Sequence, residues 1–446
     1  MTTERVPAEA APRFIRAVGL LGLTAISLNG VIGSGIFGLP ATVAKILGPA
    51  SPAAYVVAAL ATALIVMCFA EAGSMFERTG GPYVYAREAF GSFVGFEVGW
   101  VFFLTRLTAA AAIATKFADY LGDLWLPLGS GVGRVAALTL LSAGLAWLNF
   151  VGVRAGAWAV NVLTIAKLLP LLLFVGVGLF FVDGSRVEIL AIPPMHGLRE
   201  ASLALIFAFG GFENASVPSE EVKDPARSLP VALFTSIAVT TVIYMLIQIV
   251  ALGTLPGLAG DKTPLASAGR EFLGPAGAIA ITVGAVLSTS GSNSALMLVG
   301  PRILYALGEG KQLPAVLARV HARYRTPHVA IAVFAIAAWL LSLWLTFDDL
   351  VAVSAISRLL FSATTCLAVP VLRRRMPLAV RAFKIPGGAA VPLLAAAISI
   401  WLLSGVNELQ AIVGLSALVF GGVLYLCFRP RRSRVASEAR RKKAER

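Results

Sequence analysis

The stretch NGVIGSGIFGLP, residues 29–40, decides the fold because it places four glycines inside an otherwise apolar segment. Its centre, GSGIFG (33–38), has the G-x-G-x-x-G spacing of the phosphate-binding turn in dinucleotide-binding enzymes. A dinucleotide site also needs a preceding β-strand and an acidic residue about 20 positions later. No strand pattern precedes this stretch, and the first acid after it is Glu71. We therefore reject a dinucleotide site.

Two other interpretations of these glycines remain open. Small residues allow close packing between membrane helices, as in G-x-x-x-G contacts. Alternatively, the helix is unwound here, because glycine adopts backbone conformations that other residues avoid. The backbone amides freed by such a break would point at an anion, as in phosphate-binding loops. In this chain we expect the anion to be a carboxylate.

The composition predicts an all-α integral membrane protein. Of the 446 residues, 58% are hydrophobic and 13% charged, whereas soluble domains carry about 25% charged residues. Apolar runs of membrane-spanning length recur along the whole chain. They show no alternation, so helices and not a β-barrel satisfy their backbone. We predict twelve transmembrane helices, near residues 15–45, 50–75, 92–122, 132–151, 158–182, 198–222, 229–254, 272–306, 327–346, 349–372, 388–406 and 409–428.

The net charge of +14 predicts membrane topology and not a nucleic-acid partner. Most lysines and arginines fall in the two tails and in the loops on one side of the predicted membrane. This bias is the positive-inside pattern, which places both termini in the cytoplasm. We expect a multi-pass protein of the plasma membrane.

A second interrupted segment, FAFGGFENASVP (207–218), lies in the sixth predicted span. It follows the first interrupted segment by five spans, as an inverted repeat of five plus five helices requires. Interrupted segments at matching places in two halves indicate a transporter site near the middle of the membrane. The predicted organisation is a cytoplasmic tail (1–14), a repeat core of ten helices (15–372), helices 11 and 12 (388–428) and a basic cytoplasmic tail (429–446).

Several long motifs resemble amino acid permeases of the amino acid–polyamine–organocation (APC) superfamily. Besides the first stretch, they are AEAGSMFERTGGPYVYAREAFGSFVGFEVGW (71–100), NVLTIAKLLPLLLF (161–174), FAFGGFENASVPSEEVKDPARSLP (207–230) and GPRILYALGEGKQLP (300–314). The resemblance implies a LeuT-like fold with broken helices 1 and 6 and transport by alternating access. It implies a secondary active transporter, and we expect proton-coupled symport of amino acids. An exchanger of amino acids or polyamines is the alternative.

The resemblance also implies a site for the substrate zwitterion. The α-carboxylate would bind the amides of Gly33, Ser34 and Gly35, at the positive end of a half-helix. The ammonium group would bind carbonyl groups at the second break. These carbonyls belong to Phe207, Ala208 and Gly210.

A gate over the substrate is expected from the same resemblance. Phe207 matches the position of an aromatic gate, and Phe209 and Phe212 are neighbours that could share this task. Packing in the core or against lipid is the alternative for each ring.

Lys167 is the most specific prediction of a single functional residue. It lies about a third of the way into the fifth predicted span, where a lysine is costly unless it is paired, hydrated or neutral. In proton-dependent relatives a lysine here takes the place of a bound sodium ion, so the resemblance implies a proton carrier that contacts first-helix carbonyls near Gly30. The alternative is a side chain that snorkels to the cytoplasmic interface.

Other buried charges have more than one interpretation. Arg106 and Arg358 lie within the third and tenth spans, where each needs an acid, carbonyl groups or water. The candidate acids are Glu71, Glu97 and Glu213. Glu213 follows the second break, so it could pair structurally, relay protons or recognise a cationic side chain.

The sequence argues against other classes of function. An enzyme needs nucleophiles, acids or metal ligands gathered on one side, but the histidines are scattered over predicted loops and the acids are isolated. We expect no metal and no cofactor. A channel should show a repeated filter or a charged ring, and no motif for ATP binding is present. The expected partners are an amino acid, protons and the lipid bilayer.

Overall fold

The computed structural model describes residues 19–76, 81–151, 157–188, 191–213, 225–379, 381 and 383–428. Within these ranges the chain forms helices and no β-strand. The helices are α1 (Leu20–Val31), α2 (Gly35–Leu47), α3 (Pro52–Ser74), α4 (Pro82–Phe90), α5 (Ser92–Leu124), α6 (Gly131–Val151), α7 (Ala157–Gly178), α8 (Met195–Ala208), α9 (Pro225–Thr254), α10 (Pro264–Glu309), α11 (His328–Trp344), α12 (Phe347–Arg375), α13 (Ala390–Leu403) and α14 (Glu408–Phe428). The two predicted tails, 1–14 and 429–446, lie outside the described residues.

The helices have the length and composition of membrane spans. Seven of those described are long and apolar enough to cross a bilayer, and the bent pair α1–α2 would make eight. Shorter apolar helical stretches are Lys167–Phe181, which covers the second half of α7 and the helical turn after it, and α11 and α13. The all-helical architecture and its membrane-spanning character agree with the sequence analysis.

Two helical segments differ from the prediction. The residues between the second and third predicted spans, expected to form a loop, contain α4. This helix begins at Pro82 and ends at Phe90, and Gly91 follows it with φ of 95°. Proline suits the first turn of a helix, and glycine tolerates this positive φ, so both ends are locally encoded. α10 begins eight residues before its predicted span and bends at Gly274, where φ is 69°. Hydropathy misses both features because neither α4 nor the start of α10 is a continuous apolar run.

Helices end at the glycines of both interrupted segments. α1 ends at Val31 and α2 begins at Gly35, with an angle of 45° between them. α8 ends at Ala208, inside the second interrupted segment. Residues 214–224, which include the end of the predicted sixth span, lie outside the described residues.

The two breaks are in direct backbone contact. A Cβ atom on Gly35 would lie 2.7 Å from the Cα atom of Ala208, and one on Gly211 would lie 2.1 Å from the carbonyl oxygen of Gly30. Gly211 also has φ of 111°, which L-residues with side chains rarely adopt. Because α2 packs on α8 while α10 and α12 pack along α5, the breaks meet in the interior of the helical assembly.

Candidate functional site

A small cavity lies where the two breaks meet. Its volume is about 50 Å³, and α5, α10 and α12 complete its wall. The residues predicted to bind the substrate zwitterion all line it: Gly33, Ser34, Gly35, Phe207, Ala208 and Gly210. Residues that lie 172 or more positions apart in the sequence therefore meet around one space.

The first break offers hydrogen-bond donors to this cavity. Ser34 is fully buried, and its hydroxyl group has no hydrogen-bond partner. It also occupies the position before α2 without capping that helix through its side chain. The first amides of a helix have no carbonyl partner within it and carry partial positive charge. The site can therefore accept an anion at Ser34 and Gly35.

Lys167 reaches the same break from α7. Its Nζ atom donates hydrogen bonds to the carbonyl oxygens of Asn29, at 2.8 Å, and Ile32, at 2.7 Å. The residue is 2% exposed, so its amine lies in the protein interior and does not snorkel to an interface. Among the described residues no carboxylate pairs with it. The amine therefore has the predicted carbonyl contacts near Gly30.

The second break has fewer unused carbonyl groups than expected. The Phe207 carbonyl accepts the Gly210 amide at 3.1 Å, and the Ala208 carbonyl lies 3.4 Å from the Tyr244 hydroxyl. A Cβ atom on Gly210 would lie 2.0 Å from the guanidinium carbon of Arg358. The absence of a side chain at Gly210 thus admits an arginine to this part of the cavity.

Glu213 is the partner of both buried arginines. Its Oε1 atom accepts hydrogen bonds from Arg106 Nη2 at 2.7 Å and from Arg358 Nη1, and its Oε2 atom accepts the Gly211 amide at 2.9 Å. All three charged side chains are at most 4% exposed. Glu71 instead pairs with Arg373 at 2.6 Å. Glu213 is therefore the acid with which both Arg106 and Arg358 form ion pairs, as the structural interpretation of these arginines requires.

An aromatic pair closes one side of the cavity. The Phe207 ring packs edge-to-face on Phe347, with centroids 6.1 Å apart. Phe347 also lines a second cavity of about 670 Å³, and Lys116 Nζ lies 4.7 Å from the centroid of its ring. The two rings therefore separate the small cavity from the large one.

Neither of the other two phenylalanines lines the small cavity. Phe212 packs edge-to-face on Phe69, with centroids 5.4 Å apart, and Phe209 packs on Tyr244 at 5.5 Å. Both are buried in the core. Of these three rings, only that of Phe207 lies in the wall of the small cavity.

The family of the chain follows from comparison with known proteins. A family model described as amino acid permease matches residues 18–421. The chain belongs to the amino acid permease family. This result confirms the resemblance drawn from the sequence motifs.

Individual relatives cover nearly the whole permease. The branched-chain amino acid permease BcaP of Bacillus subtilis is 28% identical over 444 residues, which is 94% of each chain. The methylthioribose transporter of the same organism is 28% identical and covers 93% of each chain. The serine/threonine exchanger SteT, also from Bacillus subtilis, is 29% identical over 87% of this chain and 90% of its own. All three are named transporters or permeases, so the protein is not an enzyme. Their named substrates differ, so identity at this level does not fix the substrate of this permease.

Two residues of the site were missed by the sequence analysis. The Tyr244 hydroxyl lies 2.9 Å from the Val31 carbonyl oxygen in addition to its contact at Ala208, so it links the two breaks. A polar tyrosine inside the apolar run of α9 was a usable signal, because polar groups within membrane helices need a partner. Phe347 gave no such signal, because it falls between the predicted spans 327–346 and 349–372.

The polar residues of the eighth predicted span have mixed roles in the permease. Ser292 lines the cavity, and its hydroxyl group has no partner. Ser290 donates back to the Val286 carbonyl at 2.7 Å, and the Asn293 amide donates to the Ala110 carbonyl of α5 at 3.1 Å. Only some of these side chains face the cavity, as the helical geometry predicts.

Proposed function

We propose that this permease is a secondary active transporter that takes up amino acids together with protons. The substrate zwitterion binds between the two breaks, with its carboxylate at Ser34 and Gly35 and its ammonium group at the carbonyls of the second break. Lys167 carries the coupled proton. The protein resides in the plasma membrane with both termini in the cytoplasm.

The contact between Lys167 and the first break carries this proposal. Two carbonyl oxygens hold the amine, and no carboxylate among the described residues balances its charge. A buried ammonium group without a counterion is costly in a membrane interior. Loss of its proton removes that cost and weakens both hydrogen bonds, so proton transfer changes the stability of the break to which the substrate binds.

The finer topology belongs to the same proposal. Twelve spans and an inverted repeat of five plus five helices would place α1–α2 and α8 at equivalent positions in the two halves. The direct contact between the breaks at Gly35 and Gly211 supports this arrangement. Residues 15–372 then form the transport core, and 388–428 form two additional spans.

The two cavities support alternating access. The large cavity borders Lys116 and the ends of α2 and α5, which the charge distribution assigns to the outer side. The small one lies at the breaks, and the rings of Phe207 and Phe347 lie between them. Separation of these rings would connect the substrate site to the outer cavity, so Phe207 serves as the gate with Phe347 as its partner.

Uptake into proteoliposomes tests the proposal. The purified full-length protein is reconstituted, and accumulation of labelled amino acids is measured with an inward proton gradient, with and without sodium. Lys167→Ala is compared with Lys384→Ala, which alters an exposed lysine away from the cavity. We expect sodium-independent accumulation that requires the proton gradient, is lost in Lys167→Ala and is retained in Lys384→Ala.

Two results would contradict the proposal. Accumulation that ignores the gradient, requires preloaded internal substrate and persists in Lys167→Ala would make the protein an exchanger. Accumulation that requires sodium would remove the coupling role of Lys167. No feature of the described residues favours the exchanger, which is therefore kept only as an outcome of this experiment.

A further inference from the structure

The wall of the small cavity carries an excess of positive charge. Its only charged lining residues within the described part of the chain are Arg106 and Arg358. Glu213 binds both from behind the wall and supplies one negative charge for two positive ones. Glu71 pairs with Arg373, and Asp119 pairs with Lys116 and Arg134, so neither of these acids balances the two arginines.

The arginines have hydrogen-bonding capacity left over. The Nε atoms of Arg106 and Arg358 are buried and have no hydrogen-bond partner in the part of the chain that the structure describes. The same holds for the hydroxyl groups of Ser34 and Ser292 in this wall. A guanidinium group only donates hydrogen bonds, so a ligand that fits these arginines must bring acceptor atoms. A carboxylate is the planar acceptor that arginine binds in bidentate geometry.

Charge balance selects the class of ligand. An amino acid with a neutral side chain is a zwitterion, so it would leave one positive charge uncompensated in a low-dielectric site. A cationic side chain would increase the excess. An amino acid with a second carboxylate carries a net charge of about −1 at neutral pH, so its binding brings the arginines, Glu213 and the substrate together to neutrality and leaves only the proton on Lys167 unbalanced.

The position of Arg358 allows one site to bind two carboxylates of the same substrate. Its guanidinium group lies against Gly210 at the second break, whereas the donors at Ser34 and Gly35 lie at the first break. One carboxylate can therefore bind at the first break while another binds the arginines. Two small residues, Ala109 and Ala295, complete this wall.

We propose that the permease selects amino acids whose side chain carries a carboxylate, and that Arg106 and Arg358 are the residues that recognise it. This inference rests on the proposed function, because it assigns a substrate class to the same site. It differs from the expectation that Glu213 recognises a cationic side chain, since Glu213 instead holds the two arginines in place.

A comparison of isosteric substrates tests this assignment without any mutation. Initial uptake rates of labelled glutamate and glutamine, and of aspartate and asparagine, are measured as kcat/KM in proteoliposomes with an inward proton gradient. Each pair has the same shape and differs by one charge. A charge-assisted hydrogen bond contributes about 1.5–3 kcal/mol, so we expect each acid to exceed its amide by roughly 10- to 100-fold.

Variants then identify the residue that recognises the carboxylate of the substrate side chain. In Arg358→Gln the remaining pair of Arg106 and Glu213 is neutral, so the ratio of acid to amide should fall toward one. Arg358→Lys keeps the charge without the bidentate geometry and should retain part of the ratio. Arg270→Gln is the matched control, because Arg270 is exposed and pairs with Asp123 at 3.6 Å away from the cavity. Gel filtration establishes that each variant is folded before its ratio is compared.

The outcomes separate this inference from the proposed function. Proton-driven uptake of glutamine, or of lysine, at tenfold the efficiency of glutamate would overturn the acidic substrate and leave the transporter intact. An unchanged ratio in a folded Arg358→Gln protein would also overturn the role of that residue. If no acidic, neutral or basic amino acid is accumulated or exchanged, the proposed function fails and the substrate class fails with it.

Discussion

The two helix breaks have opposite electrostatic support. At the first break a single amine, that of Lys167, binds two carbonyl oxygens with no carboxylate beside it among the described residues. At the second break a carboxylate, that of Glu213, is held by two guanidinium groups and a backbone amide. Both groups are almost fully buried.

This difference indicates a division of roles. In the proposed mechanism the amine at the first break changes its protonation state, and two carbonyl oxygens are its hydrogen-bond partners among the described residues. The carboxylate at the second break is strongly held, and removal of its charge would leave two cations unbalanced. The first break therefore suits the proposed proton switch, whereas the second break holds the two arginines in a fixed position.

The largest effect on stability is expected from the second break. Glu213→Gln leaves Arg106 and Arg358 buried without a counterion, and loss of one partner from a buried ion pair costs about 3–5 kcal/mol. The free energy of unfolding in mixed micelles should fall by this amount. Glu200→Gln, at an exposed glutamate of α8, is the control and should change little. A loss below 1 kcal/mol in Glu213→Gln would show that the arginines have other support.

The second-largest loss of stability is expected where the two breaks are in contact. Gly211→Ala places a side chain at φ of 111° and 2.1 Å from the Gly30 carbonyl oxygen. Strain of this kind costs on the order of 2 kcal/mol, and displacement of the first break should abolish uptake. Gly144→Ala is the matched control, because a Cβ atom there meets no other atom within 4 Å. Normal uptake by Gly211→Ala would contradict a fixed contact between the breaks.

A smaller effect is expected where Tyr244 links the breaks. Tyr244→Phe removes the hydroxyl that lies 2.9 Å from the Val31 carbonyl and 3.4 Å from that of Ala208. One neutral hydrogen bond contributes about 1 kcal/mol, so the free energy of unfolding should fall by that amount. Tyr305→Phe removes a hydroxyl at the end of α10 that bonds Glu309 at 3.3 Å. An equal loss in both variants would remove the special role of Tyr244.

The smallest effect on stability is expected at the first break. Lys167→Met removes a charge whose burial is costly along with the two hydrogen bonds that offset this cost, so the free energy of unfolding should change by less than about 1 kcal/mol. Uptake driven by a proton gradient should nevertheless be lost. A stability loss as large as that of Glu213→Gln would make Lys167 a structural anchor and remove the contrast between the breaks.

The sequence predicts the parts of this site that depend on local chemistry. Glycines indicate both breaks, since they permit the backbone to leave the helical conformation. A lysine in an apolar run indicates a functional site, because burial of its charge in a membrane is costly. These signals locate Lys167 and the residues of the first break without any structure. The family resemblance supplied the rest of the zwitterion site.

Long-range pairing could not be predicted from the sequence. Three acids were possible partners for Arg106 and Arg358, and only the packing of α5, α8 and α12 selects Glu213 for both. The contact of Phe207 with Phe347 joins two residues that lie 140 positions apart in the sequence. Rings such as Phe209 and Phe212 differ from Phe207 only in the direction that each side chain takes from the end of α8.

The pair formed by Phe207 and Phe347 also has an electrical consequence. In the proposed topology the large cavity of about 670 Å³ brings outside water, and with it the outside potential, down to Phe347. The membrane voltage would then fall over a short path that begins at the two rings instead of over the full thickness of the bilayer. A charge moved across the whole voltage gains or loses about 2.3 kcal/mol per 100 mV. A proton or an anionic substrate that passes these rings would therefore meet much of the cell's voltage in a single step of a few ångströms.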